Sequence, residues 1–183
     1  MVKQFLLMIL MVSCSFAKAQ TNAKNYQKDT GKGLQENFSY LTLKAYQEIS
    51  KNRVEDFYQY LQLLGDSSTS DSLKKEIITS IYLLFKDKNT LVTDFTSGGH
   101  QKIELTLLLN KVRSRPLKFA LMDFTINDSF ENDNWNLNYK IKVSDGIKSV
   151  VYNSQLVVYL IQQPKSFGMQ TKEVWNMLLG EIK

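Results

Sequence analysis

The chain predicts an α+β fold, with N-terminal helices packed on an antiparallel sheet built from its second half. Two observations carry that reading. Trp135 to Val143 alternates apolar and polar side chains without an error, and successive strand side chains point to opposite faces, so this is a half-buried strand. Between Leu34 and Phe85 the apolar residues instead recur every three or four positions. That is the spacing of amphipathic helices, which need a common surface to cover.

In chain order, the first segment is one to remove. Lys3 precedes the apolar run Phe5 to Val12, and Ala17-Lys18-Ala19 follows. Together they spell a secretory signal peptide over residues 1–19. Its run is too short to cross a bilayer core of about 30 Å. Cleavage after Ala19, an exported destination (periplasmic or secreted) and no stable membrane insertion are therefore expected. A lipoprotein anchored through Cys14 is the alternative; Met11 and the redundant Ala-x-Ala site count against it. Cys14 is the sole cysteine, so stability must come from packing without a disulfide.

Residues 20–33 are polar, contain Gly31 and Gly33, and read as a flexible leader. One α+β domain is expected over 34–183. Leu34, Phe38, Leu41, Ala45 and Ile49 mark the inner face of a first helix. Asn52 with Glu55 has the spacing of a capping box, so a second helix is expected to open there. It buries Val54, Phe57, Tyr58, Leu61 and Leu64, and Gly65 ends it. Asp71 opens a third, lined by Leu73, Ile77, Ile81, Leu84 and Phe85.

Leu91 to Phe95 is short and β-prone, and Gly98-Gly99-His100 reads as a turn. His100 to Arg113 fits either period, its Leu, Lys, Glu and Gln content tipping it toward a helix. Pro116 ends it. Leu117 to Asn127 is a strand with apolar residues at both parities. Unbroken, it would bury Asp123; a β-bulge near Leu121 and Met122 would instead turn Asp123 to water and keep Phe119, Leu121, Phe124 and Ile126 inside. The bulge is the reading adopted. Next comes a hairpin with Asp145-Gly146 as its two-residue loop. That loop sets Ile141 against Val150, Tyr139 against Tyr152 and Trp135 against Leu156. The opposite face pairs Asn138 with Asn153 and Asn136 with Gln155. Residues 172–182 suit a strand or a helix, and the strand is preferred.

Three helices, a short strand, a further helix and then long antiparallel strands, with the hairpin of Trp135 to Ile161 at their centre, resemble the nuclear transport factor 2-like superfamily. The resemblance implies a cone-shaped roll in which helices cover a curved sheet. Cystatin-like folds share the order and are the close alternative. The superfamily holds isomerases, dehydratases and non-catalytic binding domains, so fold does not choose the function.

The net charge of +5 comes from lysines scattered among acids. A nucleic-acid surface would need a basic stripe, and none is visible. His100 is the only histidine and joins no ligand cluster, so neither a metal nor a cofactor is expected. The aromatics Tyr40, Tyr46, Phe57, Tyr60, Phe85, Trp135 and Tyr139 are candidates to line an apolar pocket, although core packing explains them at least as well. An isomerase-like site would set Asp123 as base beside Tyr40 or Tyr46, a role for the tyrosines that only the resemblance implies. Without a convincing acid–base set, the sequence favours a non-catalytic exported domain binding a small apolar ligand or a protein partner.

Overall fold

Tyr40 to Gly65 is one unbroken helix, where the sequence reading expects two. The computed structural model describes residues 33–98, 101–126, 130 and 133–183. The signal peptide, Cys14, nearly all of the leader, Gly99, His100 and Asn127 lie outside them. A short α1 (Leu34–Asn37) leads to α2 (Tyr40–Gly65). Ser39 caps α2 by accepting from the Thr42 amide at 3.2 Å. Asn52 is interior: no glycine or proline interrupts the chain from Tyr40 to Leu64, so nothing outweighs the propagation of the helix. The break falls at Phe38 and Ser39 instead, which decouples Leu34 and Phe38 from the stripe that follows.

That shift also turns the first half of α2. Its buried side is Leu43, Gln47, Ser50, Val54, Phe57, Tyr58, Leu61 and Leu64. Leu41 is 77% exposed and Ile49 48%, so the apolar line that the spacing marks as inner faces out. Helix α3 (Asp71–Leu84) is capped by Ser70, and Phe85 and Lys86 then bind to Leu179 through the backbone.

A two-stranded sheet follows, β1 (Leu91–Thr93) against β2 (Lys102–Glu104). The ambiguous stretch therefore divides, with β2 first and α4 (Leu105–Val112) after it. The main sheet holds β3 (Lys118–Ile126), β4 (Asn134–Ser144), β5 (Ser149–Phe167) and β6 (Gln170–Ile182), antiparallel and in that order. Residues 172–182 are thus strand. The described residues fall in one unit, Lys32–Lys183.

The β4–β5 register is set two residues from the expected one. Ile141 faces Tyr152, Tyr139 faces Ser154 and Trp135 faces Val158. Gly146 supplies the positive φ, at +88°, but as the first residue of the loop Gly146-Ile147. Ile147 does not share the positive φ, which leaves its β-branched side chain unstrained. The Asp145 carboxylate fastens the turn by accepting from the amides of Ile147 and Lys148. Because the shift is even, both faces keep their identity. No atom lies within 4 Å of a Cβ added at Gly146, so Gly146→Val tests backbone strain alone. It is expected to cost about 1–2 kcal/mol in denaturant titration; an unchanged midpoint would misplace the turn.

Strand β3 carries the bulge, between Met122 and Thr125, slightly past the expected place. Asp123 takes φ +49° there, a conformation Asp tolerates better than most residues. The core lies between α2 and the inner faces of β4 and β5, where Trp135, Leu137, Ile141, Leu156, Val158 and Leu160 are fully buried.

Candidate functional site

The seven aromatic candidates do not enclose a cavity together. Phe57, Phe85, Trp135 and Tyr139 are core; Tyr46 and Tyr60 are half-buried against it; Tyr40 is exposed. The buried rings fill the interior by packing edge to face. Phe57 and Phe85 lie 5.0 Å apart, Tyr58 and Tyr139 6.0 Å, and Phe95 and Tyr152 5.3 Å. Such pairs favour a filled core over a vacant one.

Inside this core lies a pair that sequence reasoning did not single out. The hydroxyls of Tyr58 on α2 and Tyr139 on β4 are 2.8 Å apart. Burial pushes the Tyr58 phenol well up, and the neighbouring Tyr139 adds to the rise. Burial also raises Tyr139, against the lowering effect of its hydrogen bond to Tyr58. Both are therefore neutral phenols at ordinary pH, suited to hold α2 on the sheet. A second internal link runs from the Trp135 indole to Ser50, 3.4 Å away, and Ser50 donates onward to the Gln47 carbonyl. Only tertiary structure brings these residues together; at sequence level Tyr58 is simply one of a buried stripe.

Asp94 is the one buried carboxylate among the described residues. It accepts from Lys111 at 2.7 Å and from both the amide and the hydroxyl of Thr96. Burial alone would raise its pKa, but Lys111 and Thr96 outweigh burial and hold it below the usual carboxylate range. It ties α4 to the segment after β1 and stays ionised.

The acid–base set that the resemblance implies is not assembled. Asp123 sits on edge strand β3 with its side chain outward, 2.7 Å from Lys140 and largely exposed. The bulge that re-aims it is the physical cause, since one extra residue switches the strand's parity. Tyr46 packs against Phe38, which in turn meets Trp175 of the opposite edge strand β6. Asp123 and Tyr46 thus lie at opposite edges of the sheet, with Asp123 on its other face, and Tyr40 is exposed on α2. Among the described residues, no group of three or more His, Cys, Asp or Glu could hold a metal ion.

Two open surface grooves lie among the described residues. One, of about 490 Å³, has Asp123, Asn138, Lys140, Asn153 and Gln155 along it and touches Tyr139. It is the polar outer face of the hairpin. The other, of about 420 Å³, is bounded by Lys86, Leu91, Tyr159 and Gly180. Lys86 Nζ stands 3.8 Å over the Tyr159 ring, and a Cβ at Gly180 would meet that ring at 2.6 Å. Glycine there lets the tyrosine lie against the strand.

Apolar side chains of the described residues face solvent singly, as at Leu83 and Ile147, and in two groups. One is the outward line of α2, Leu41, Ala45 and Ile49, with Tyr40 beside it. The other is the end of the β5–β6 hairpin. No described helix is long and apolar enough to cross a membrane. No protein-family model matches the chain, and no curated protein matches it significantly.

Proposed function

We propose that this is an exported, non-catalytic binding domain of nuclear transport factor 2-like form, and that its ligand is a protein partner. The observation that carries the reading is the outward stripe of α2. Over these turns the helix buries Gln47 and Ser50 yet offers Leu41 and Ile49 to solvent. A helix face that is apolar on its exposed side is a docking surface in search of a cover. The filled aromatic interior weighs against a small apolar ligand held inside.

The test is site-directed photo-crosslinking in the producing cell. Gln59 lies five turns on from Leu41, on the same line of the helix but outside the apolar stretch. A discrete adduct is expected from Leu41 and Ile49 and none from Gln59. With the adduct identified and purified, Leu41→Lys with Ile49→Lys should weaken binding at least about tenfold, given the usual value of a buried leucine. Adducts of equal yield from all three positions, or unchanged affinity, would remove the proposal.

A further inference from the structure

The β5–β6 hairpin outruns the sheet that supports it. Strand β4 pairs with β5 only as far as Asn134 opposite Tyr159, whereas β5 and β6 continue pairing to Phe167 opposite Gln170. From Pro164 to Glu173 every residue is exposed. An isolated two-stranded ribbon is marginal in water, so its length is a cost that folding of the core does not repay. Its loop is Gly168-Met169, with φ +63° at Gly168. Met169 is fully exposed and Phe167 about half.

The register adds a second observation. Lys165 lies directly opposite Lys172. Like charges in that position oppose strand pairing. Side-chain alternation puts both on one face of the ribbon with Phe167, and Lys165 Nζ is 5.8 Å from that ring. Glu173, the nearest acid, pairs with Pro164 on the opposite face. The two cations therefore share a face that supplies no counter-charge. Lysine and proline do guard a free strand edge against pairing with another chain, but that role does not call for Phe167 and Met169 at the tip.

We propose that this arm seats on an anionic phospholipid surface. Phe167 and Met169 enter the headgroup region, and Lys165 and Lys172 meet the phosphates. Apolar residues at a tip with flanking lysines are the pattern of interfacial binding. A protein interface commonly needs about 800 Å² from each partner, far more than two side chains on a narrow convex tip provide. A bilayer surface deforms around such a wedge. The inference is independent of the α2 stripe.

The experiment is co-sedimentation of the purified chain with vesicles of phosphatidylglycerol and phosphatidylcholine in equal parts, and with phosphatidylcholine alone. Binding is expected to the first, and to fall as salt rises. Lys165→Gln with Lys172→Gln should weaken it roughly twenty-five-fold, at about fivefold for each lysine. Phe167→Ser with Met169→Ser should weaken it separately. The Phe167→Trp variant should shift its emission to the blue on vesicle addition, read against the wild type to subtract Trp135 and Trp175. No binding to anionic vesicles, binding indifferent to both double variants, or an unshifted difference emission from the Phe167→Trp variant would overturn the proposal. So would equal binding to soluble polyglutamate, which would make the partner an acidic protein.

Discussion

Trp135→Ala is expected to be among the most destabilising truncations in the domain, at about 4 kcal/mol. Trp135 is the second residue of β4, is fully buried and stands edge-on to Phe130 at 6.1 Å. Its indole also reaches Ser50 beneath α2. Removing it empties a large volume at the junction of sheet and helix, and α2 is too continuous to collapse into the gap. For a domain of this size the loss corresponds to a fall in Tm of roughly 10 °C. Trp135→Phe keeps most of the ring and loses the donor, so about 1–2 kcal/mol is expected of it. Thermal and urea unfolding followed by circular dichroism would measure both. A cost below about 1 kcal/mol for the alanine variant would mean that β4 does not begin in the core.

What could be read from the sequence, and what could not, divides by the range of the signal. The two faces of β4 were legible because alternation is local and unforgiving. Their register was not: with either Asp145 or Gly146 opening the loop, Gly146 can take the positive φ, and the two registers differ by an even step that leaves every face unchanged. Only the Asp145 side chain, accepting from Ile147 and Lys148, separates them. The bulge in β3 was legible because Leu117 to Ile126 is apolar at both parities, which no regular strand satisfies. The single long helix was missed because Asn52 and Glu55 imitate a capping box, while Ser39 and Thr42, three apart, form the cap that is used. The outward stripe of α2 was hidden for a related reason, since a line at steps of four is the usual mark of burial. The opposition of Lys165 and Lys172 exists only once the hairpin register is known.

Gly65→Ala is expected to destabilise by about 3 kcal/mol, against the sign that helix propensity gives. Within a helix, alanine normally gains about 1 kcal/mol over glycine. Gly65 closes α2, and the sequence reading takes it for a glycine that ends a helix by left-handed conformation. It is absent from the positive-φ glycines; what it supplies is closeness. A Cβ there would stand 2.3 Å from the Arg115 carbonyl oxygen and 3.1 Å from that of Val112. Both obstacles are backbone, and neither can swing aside. The Arg115 amide is bonded to the Val112 carbonyl, its guanidinium to the Thr96 carbonyl, and Pro116 fixes the next φ. Relief must come from parting α2 from the α4–β3 connection, which is overpacking of a rigid contact. Gly180→Ala provides the contrast. Its Cβ would meet the Tyr159 ring at 2.6 Å and the Val157 carbonyl oxygen at 3.2 Å; the ring is able to turn at the expense of its contact with Lys86, and the carbonyl needs to give by only a few tenths of an ångström. About 1 kcal/mol is expected there, the usual size of a rotamer strain. Urea midpoints of the two variants decide the matter, and a Gly65→Ala protein more stable than its parent would mean that α2 and the connection do not touch.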